Sequence, residues 1–168
     1  VGDLVALTRD DHLQRQPERL DMSEVVEAAL ARAARRGPNI TFHTSLEPVP
    51  ILGDASTLER AITNLLDNAV KFSPSDGEIW VELTSAGVLT IIDSGPGVAD
   101  EDLPHIFDRF YRSDRARNTP GTGLGLAIVT HTVEAHGGSV RAGNQPGAGA
   151  KFTMRLPVLT IPESPLSP

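Results

Sequence analysis

Gly121-Thr122-Gly123-Leu124-Gly125-Leu126 sets three alternating glycines at the mouth of an apolar run, Leu124 to Val129, that reads as a helix. Glycine lets the backbone take positive φ and approach a ligand closely. The amides of a helix's first turn point outward and favour an anion. By its chemistry the stretch is a phosphate-binding turn, compatible with several nucleotide folds. No Gly-Lys-Ser or Gly-Lys-Thr follows it, which removes a Walker-type reading. It follows a long charged segment and not a strand, which removes a dinucleotide reading. What decides the fold is its place as the last of three glycine and asparagine signals in a fixed order.

The first signal is a helix. Leu58, Ile62, Leu65, Ala69 and Phe72 share one apolar stripe, and Asn64, Asn68 and Lys71 line up beside it at i, i+4 and i+7. An amide oxygen is a hard neutral ligand suited to Mg²⁺, which keeps waters and phosphate oxygens as its other ligands. A lysine one turn on can hold a phosphate. Taken alone, the row is more plainly a solvated flank, although asparagine is a poor helix former and two at this spacing need a reason. The second signal is Leu89-Thr90-Ile91-Ile92-Asp93-Ser94-Gly95-Pro96-Gly97, an acid at the end of an apolar strand. Its carboxylate could accept from an exocyclic amine, the group that marks adenine. Gly95 and Gly97 leave room for a flat base. By itself this is equally a strand end with a capping Asp.

Between the second signal and the glycine turn runs Ser94 to Thr122, long and rich in Gly, Pro and charge. One short helical piece is expected near Glu101 to Phe110. Connections of that length in a compact domain are usually functional or mobile. Phe107, Phe110 and Tyr111 suggest docking onto something, while Arg109, Arg112, Arg115 and Arg117 supply cations able to grip phosphate.

The rest of the chain supplies a scaffold. Asp21-Met22-Ser23-Glu24 opens a helix that stops before Gly37-Pro38. Strands are expected at Ile40 to Leu46, Val49 to Leu52, Ile79 to Leu83, Val88 to Ile92, Ser139 to Ala142 and Lys151 to Leu156. Asp54 is the expected N-cap of the asparagine helix, which runs to Phe72. Gly137-Gly138 stops the last helix. Gln14 to Arg19 reads as a polar connector, Val1 to Asp10 as the end of a helix, and Pro157 to Pro168 as a loose tail. The 168 residues suffice for one domain with a real core. A net charge of −7 without a basic stripe argues against nucleic acid as a partner. The absence of cysteine excludes disulfides and fits a cytosolic location. No apolar run approaches the roughly 20 residues of a membrane span. The opening Val1 reads as the edge of a piece cut from something longer.

Over about Leu20 to Leu156, these motifs in this order resemble the ATP-binding catalytic domain of sensor histidine kinases, relatives of type II topoisomerases, mismatch-repair ATPases and heat-shock chaperones. Asn64-x-x-x-Asn68-x-x-Lys71-Phe72 looks like the N box, Asp93-x-Gly95-x-Gly97 like the first glycine box and Phe107-x-x-Phe110 like the F box of the kinase branch. Gly121-x-Gly123-x-Gly125 looks like the second glycine box. Gly147-Ala148-Gly149-Ala150 is a variant of a third, departing at Ala150, where a hydroxyl residue is usual.

The resemblance implies a two-layer α/β sandwich with helices on one face of a mixed sheet. It implies ATP and Mg²⁺, with Asn68 as metal ligand and Asn64 beside it. Lys71 and Arg112 contact phosphates, Asp93 holds the adenine amine, and Gly95 and Gly97 border the base. Phe107, Phe110 and Tyr111 belong to the nucleotide site. Gly121, Thr122, Gly123, Leu124, Gly125 and Leu126 wrap the phosphates, and Ser94 to Thr122 forms a lid over the nucleotide. In the hydrolase branches the position of Asn64 is a glutamate that activates water. An amide cannot accept a proton at neutral pH, so the implied reaction is transfer of the γ-phosphate to an outside nucleophile.

That nucleophile is implied to be a histidine on a separate dimerisation hairpin, typically followed by Glu or Asp. None of His12-Leu13, His43-Thr44, His105-Ile106, His131-Thr132 or His136-Gly137 fits. The expected partition is a hairpin remnant and linker over 1–16, the catalytic domain over 17–157 and a tail over 158–168. Expected partners are the hairpin, a second copy of the full protein and a downstream response regulator, with the domain on the cytoplasmic side of a membrane-bound sensor. A serine kinase of the anti-sigma-factor type and a nucleotide-binding module without turnover are the alternatives.

Overall fold

A computed structural model of the chain describes residues 16–111 and 125–160. The readings of Val1 to Asp10, His12, Arg112, Arg115, Arg117, Gly121, Thr122, Gly123, Leu124 and the tail from 161 lie outside the described residues. Strand β1 (Glu18–Asp21) leads into helix α1 (Met22–Arg36), followed by β2 (Thr41–Leu46), β3 (Pro50–Gly53) and helix α2 (Ala55–Phe72). Then come β4 (Glu78–Leu83), β5 (Val88–Ile92), helix α3 (Gly125–Ala135), β6 (Ser139–Asn144) and β7 (Ala150–Arg155). The main sheet has the order β2-β4-β5-β7-β6, with β2 and β4 parallel and the remaining pairs antiparallel. A second, two-stranded sheet pairs β1 with β3.

Alternation along β4, β5 and β7 buries Ile79, Val81, Leu83, Leu89, Ile91, Phe152 and Met154 on one face, where the helices lie. This is the two-layer α/β sandwich. Helix α2 sits between α1 and α3. Its stripe Leu58, Ile62, Leu65 and Ala69 is fully buried, as the periodicity predicts. Ala61 and Leu66 are fully buried too, because helices flank α2 on both sides. Local chemistry sets its start: the Asp54 carboxylate accepts from the N–H groups of Ser56 (3.0 Å) and Thr57 (3.4 Å). Asp21 caps α1 the same way, accepting from Ser23 at 3.0 Å and also from the Val49 N–H at 3.0 Å. Burial pushes the Asp21 carboxyl up, but those hydrogen bonds outweigh it and hold it below its ordinary value.

The double-glycine stop of α3 is a full Schellman closure. The Gly138 N–H donates to the Val133 carbonyl and the Gly137 N–H to that of Glu134, both at 2.9 Å, with Gly137 at φ 77°. His136 follows the helix as a cap. Its Nδ1–H donates to the Thr132 carbonyl (2.7 Å), and its Nε2 accepts from the Asp54 N–H (3.2 Å), tying the end of α3 to the start of α2.

Two local readings are corrected. Glu18 and Arg19 belong to a strand, Glu18–Asp21, and not to a connector. Its alternation is invisible because Glu18 and Arg19 are both exposed, and its partner β3 is distant in sequence. Glu101 to Phe110 is a chain of turns and not a helical piece. His105 bonds back to Asp102 and Asp108 to His105, each three residues apart and 2.9 Å long. Pro104 brings no N–H to continue a helix. Past β7 the chain still holds to the domain at Leu159, whose N–H donates to the Pro50 carbonyl at 2.7 Å. A cleft of about 230 Å³ opens there, lined by Ile51, Leu52, His136 and residues 156–159, but none of the sequence-predicted site residues lines it. No described helix is long and apolar enough to cross a membrane.

Helix α2 also carries a buried hydroxyl, Thr63 Oγ, that has no hydrogen-bond partner among the described residues. An unmade hydrogen bond at a buried group costs the desolvation of that group. Thr63→Val keeps the shape and removes the polar atom, so the variant is expected to be more stable by about 1 kcal/mol in denaturant unfolding. A loss of stability would show that the hydroxyl has a partner.

Candidate functional site

The site forms where the ends of α2, β5 and β7 meet. Asp93, just past β5, is 2% exposed. Its Oδ1 accepts from the Gly95 N–H (3.0 Å) and from the Ala150 N–H (2.9 Å). Its backbone also pairs with the β6–β7 turn, the Gly149 N–H donating to the Asp93 carbonyl at 2.8 Å. Burial raises the Asp93 carboxyl above its ordinary value, and the bonds from Gly95 and Ala150 only partly offset this. The carboxylate is therefore fixed in direction, dry and costly to ionise.

The glycines around it are close approaches. A Cβ on Gly149 would stand 2.1 Å from Asp93 Oδ1 and 2.7 Å from the Gly95 backbone. A Cβ on Gly95 would stand 2.4 Å from the Phe72 carbonyl, so the loop after Asp93 lies directly against the end of α2. Ser94 fastens it there: its N–H donates to Ser73 Oγ (3.3 Å) and its hydroxyl accepts from the Glu78 N–H (2.9 Å). Gly97, at φ 80°, takes a conformation that L side chains resist.

Helix α2 carries its amide row along its second half, toward Phe72. Asn64 and Asn68 are half-buried, and Lys71 is exposed with its Nζ 5.5 Å from the Phe72 ring centroid. The Asn64 amide donates to the Gly125 carbonyl at 3.3 Å, joining the first signal to the end of the glycine turn. A carboxylate at position 64 would set an acceptor against that carbonyl. Gly125 begins α3, where an added Cβ would meet no described residue within 4 Å, and Leu126 packs on the core. Among the described residues no group of three or more His, Cys, Asp or Glu could hold a metal. The available donors are neutral amide oxygens, and these fit magnesium, which retains waters and phosphate oxygens.

The aromatic segment divides. Phe107 turns inward, edge-on to Phe152 with ring centroids 6.2 Å apart. Tyr111 folds back, its hydroxyl donating to Asp102 and its ring 5.4 Å from His105. Phe110 alone of the three is exposed, at 58%, with φ 66° and the Arg109 guanidinium over its ring. Phe107 and Tyr111 are half-buried and pack on the core. Two contacts at the site carry no signal in the sequence. Gly149 was visible as part of a third glycine box, but its contact with Asp93 was not. Asn144, the last residue of β6, carried no signal beyond being a polar residue before a Gly-Pro-rich turn.

The raised Asp93 carboxyl gives opposite signs for protein and ligand. A folded value above the unfolded one means that protonation favours the native state, so this group's stabilisation is present at acid pH and lost as pH rises through the folded value. A donor ligand needs the ionised form. Affinity for an adenine nucleoside is therefore expected to fall as pH drops through a value above the ordinary 3.8, without loss of melting temperature attributable to Asp93. Affinity flat down to the ordinary carboxylate range would contradict this.

The family described as histidine kinase-, DNA gyrase B-, and HSP90-like ATPase matches residues 53–160. Over 173 residues the chain is 44% identical to the signal transduction histidine-protein kinase/phosphatase MprB of Mycolicibacterium smegmatis, covering 97% of this chain and 35% of that one. The chain thus spans about a third of the length of the curated relatives it matches. Among solved structures, a mycobacterial sensor histidine kinase MprB superposes with a TM-score of 0.79 at 39% identity, covering 86% of this chain and 100% of that one. The ATP binding domain of PrrB from Mycobacterium tuberculosis does so with a TM-score of 0.68 at 27% identity, covering 87% and 100%.

Proposed function

Since this chain belongs to the histidine kinase-, DNA gyrase B- and HSP90-like ATPase family, as a catalytic ATPase domain of the histidine kinase type, we propose that it binds Mg-ATP and donates the γ-phosphate to a histidine on a separate hairpin. The observation that carries this reading is the buried, directed carboxylate of Asp93, set in a glycine-lined loop that lies against the C-terminal end of the helix bearing Asn64, Asn68 and Lys71. Asp93 accepts from the adenine amine, and Gly95 and Gly97 border the base. Asn68 offers its amide oxygen to the metal with Asn64 beside it. Lys71 holds a phosphate from the end of α2. Arg112 and the glycines at 121, 123 and 125 complete the phosphate contacts in this reading. Magnesium, when bound, supplies charge neutralisation at the phosphates.

Asn64 favours the kinase over the hydrolase. Its amide donates to Gly125 and offers no basic oxygen to take a proton from water. Three histidines are engaged elsewhere: His43 with Glu78, His105 with Asp108, and His136 with Thr132 and Asp54. No histidine of this chain is followed by Glu or Asp, so the acceptor is assigned to a hairpin of the full protein, a homodimeric sensor whose catalytic part is cytoplasmic and whose phosphate passes to a response regulator. Within this chain, 1–16 is read as the remnant of that hairpin's helix with its linker, 17–157 as the catalytic domain and 158–168 as the tail.

Calorimetric titration tests the binding step. The domain is expected to bind ATP with a magnesium dependence that Asn68→Ala removes. Failure of the wild-type domain to bind ATP would overturn the reading. Incubation with labelled ATP is expected to leave the domain's own histidines unlabelled, and label on one of them would refute the separate acceptor.

A further inference from the structure

We propose that Asn144 is a positioning residue for the nucleotide, gripping the loop that follows Asp93 at Val98; the inference rests on the nucleotide site proposed above. Asn144 ends β6 and stands opposite Ala150 in the β6–β7 register. Ala150 is the residue whose N–H holds Asp93 Oδ1. The Asn144 side chain reaches away from that pair to the loop. Its Oδ1 accepts from the Val98 N–H at 2.8 Å, and its Nδ2 donates to the Val98 carbonyl at 2.7 Å. This two-point grip needs an acceptor and a donor side by side, which a primary amide supplies and a carboxylate or hydroxyl does not.

Gly97 makes the grip possible. A Cβ there would lie 2.7 Å from Asn144 Oδ1, and φ is 80°. Two independent constraints thus fix one glycine: its backbone conformation and the closeness of the amide. The base-side loop is consequently held at both ends, at Gly95 by Asp93 and at Val98 by Asn144. Both anchors trace to the β6–β7 turn, which is closed by the Gln145 N–H donating to the Gly149 carbonyl at 2.9 Å. Asn144 itself is exposed. Hydrogen bonds at an exposed position compete with water and add little to global stability. Their effect falls on the loop, whose freedom must otherwise be removed when ligand binds.

The test measures ATP affinity by calorimetry and melting temperature for wild type, Asn144→Ala, Asn144→Asp, Gly97→Ala and the Gly97→Ala/Asn144→Ala double variant. Asn144→Ala is expected to weaken ATP about tenfold with melting almost unchanged, the size of losing one to two hydrogen bonds. Asn144→Asp keeps the acceptor for the Val98 N–H but sets an oxygen against the Val98 carbonyl, so it fails to rescue. Gly97→Ala weakens binding more. In the double variant the clash between the new methyl and the amide is gone, so binding is better than the product of the two single losses. Wild-type affinity in Asn144→Ala, or strictly multiplicative losses, overturns the inference while leaving the nucleotide site intact. A parallel collapse of melting and binding in Asn144→Ala assigns the residue to the fold and also overturns it. A wild-type domain that binds no ATP overturns the site and this inference together.

Discussion

Asp93→Asn is expected to abolish measurable adenine-nucleotide binding while leaving the fold standing. The asparagine can keep an oxygen where Oδ1 now accepts from Gly95 and Ala150, so the loop and the start of β7 stay fastened. Its NH₂ replaces the second carboxylate oxygen, and a donor then faces the donor amine of the base. Losing a hydrogen bond to a charged group and leaving a buried donor unpaired costs about 3 kcal/mol, roughly a hundredfold in affinity. Stability should hold or rise, because burial already penalises the charged form of Asp93 and the substitution removes that charge. Calorimetry with ADP and thermal unfolding separate the two effects. Unchanged affinity would remove Asp93 from the base site, and an unfolded variant would make it a purely structural acid.

Gly149→Ala is expected to damage fold and binding together. The added methyl would lie 2.1 Å from Asp93 Oδ1 and 2.7 Å from both Gly95 N and Gly95 O. The Gly95 atoms are backbone, and the Asp93 oxygen is held by two backbone donors, so none can swing aside cheaply. Overpacking of this kind costs about 3 kcal/mol. Whatever relaxation does occur moves the carboxylate proposed to face the base. Gly147→Ala is the control in the same turn. Its φ of 79° disfavours alanine, but a Cβ there meets nothing within 4 Å among the described residues. It should lose only about 1 kcal/mol of stability, the backbone penalty alone, and keep its nucleotide affinity. Equal damage from both substitutions would mean that the turn matters for its backbone and not for its contact with Asp93.

The scaffold was legible in the sequence wherever local chemistry sets it. Asp54 and the stripe Leu58–Ile62–Leu65–Ala69 gave α2 its bounds, Gly137-Gly138 gave the end of α3, and alternation gave Val88–Ile92. Strand β1 was not legible, since its first two residues face solvent and only pairing with β3 makes it a strand. The turns from Glu101 to Phe110 carry apolar residues at spacings that imitate a helix, and Pro104 with three-residue hydrogen bonding decides otherwise. At the site, the order of Asn64, Asn68, Asp93 and the glycines pointed to the chemistry. The supports of Asp93 could not be read, because Ala150 lies 57 residues away along the chain and reaches it only through the β5–β7 pairing. Asn144 was hidden for the same reason, 46 residues from Val98.

The most direct test of phosphoryl transfer supplies the histidine-bearing hairpin of the full protein in trans with labelled ATP and magnesium. Label is expected on the hairpin histidine and none on the catalytic domain, with transfer lost in Asn68→Ala or Asp93→Asn. Nucleotide binding without any transfer to the hairpin, or release of labelled inorganic phosphate in its place, would contradict a kinase built on Asn68 and Asp93.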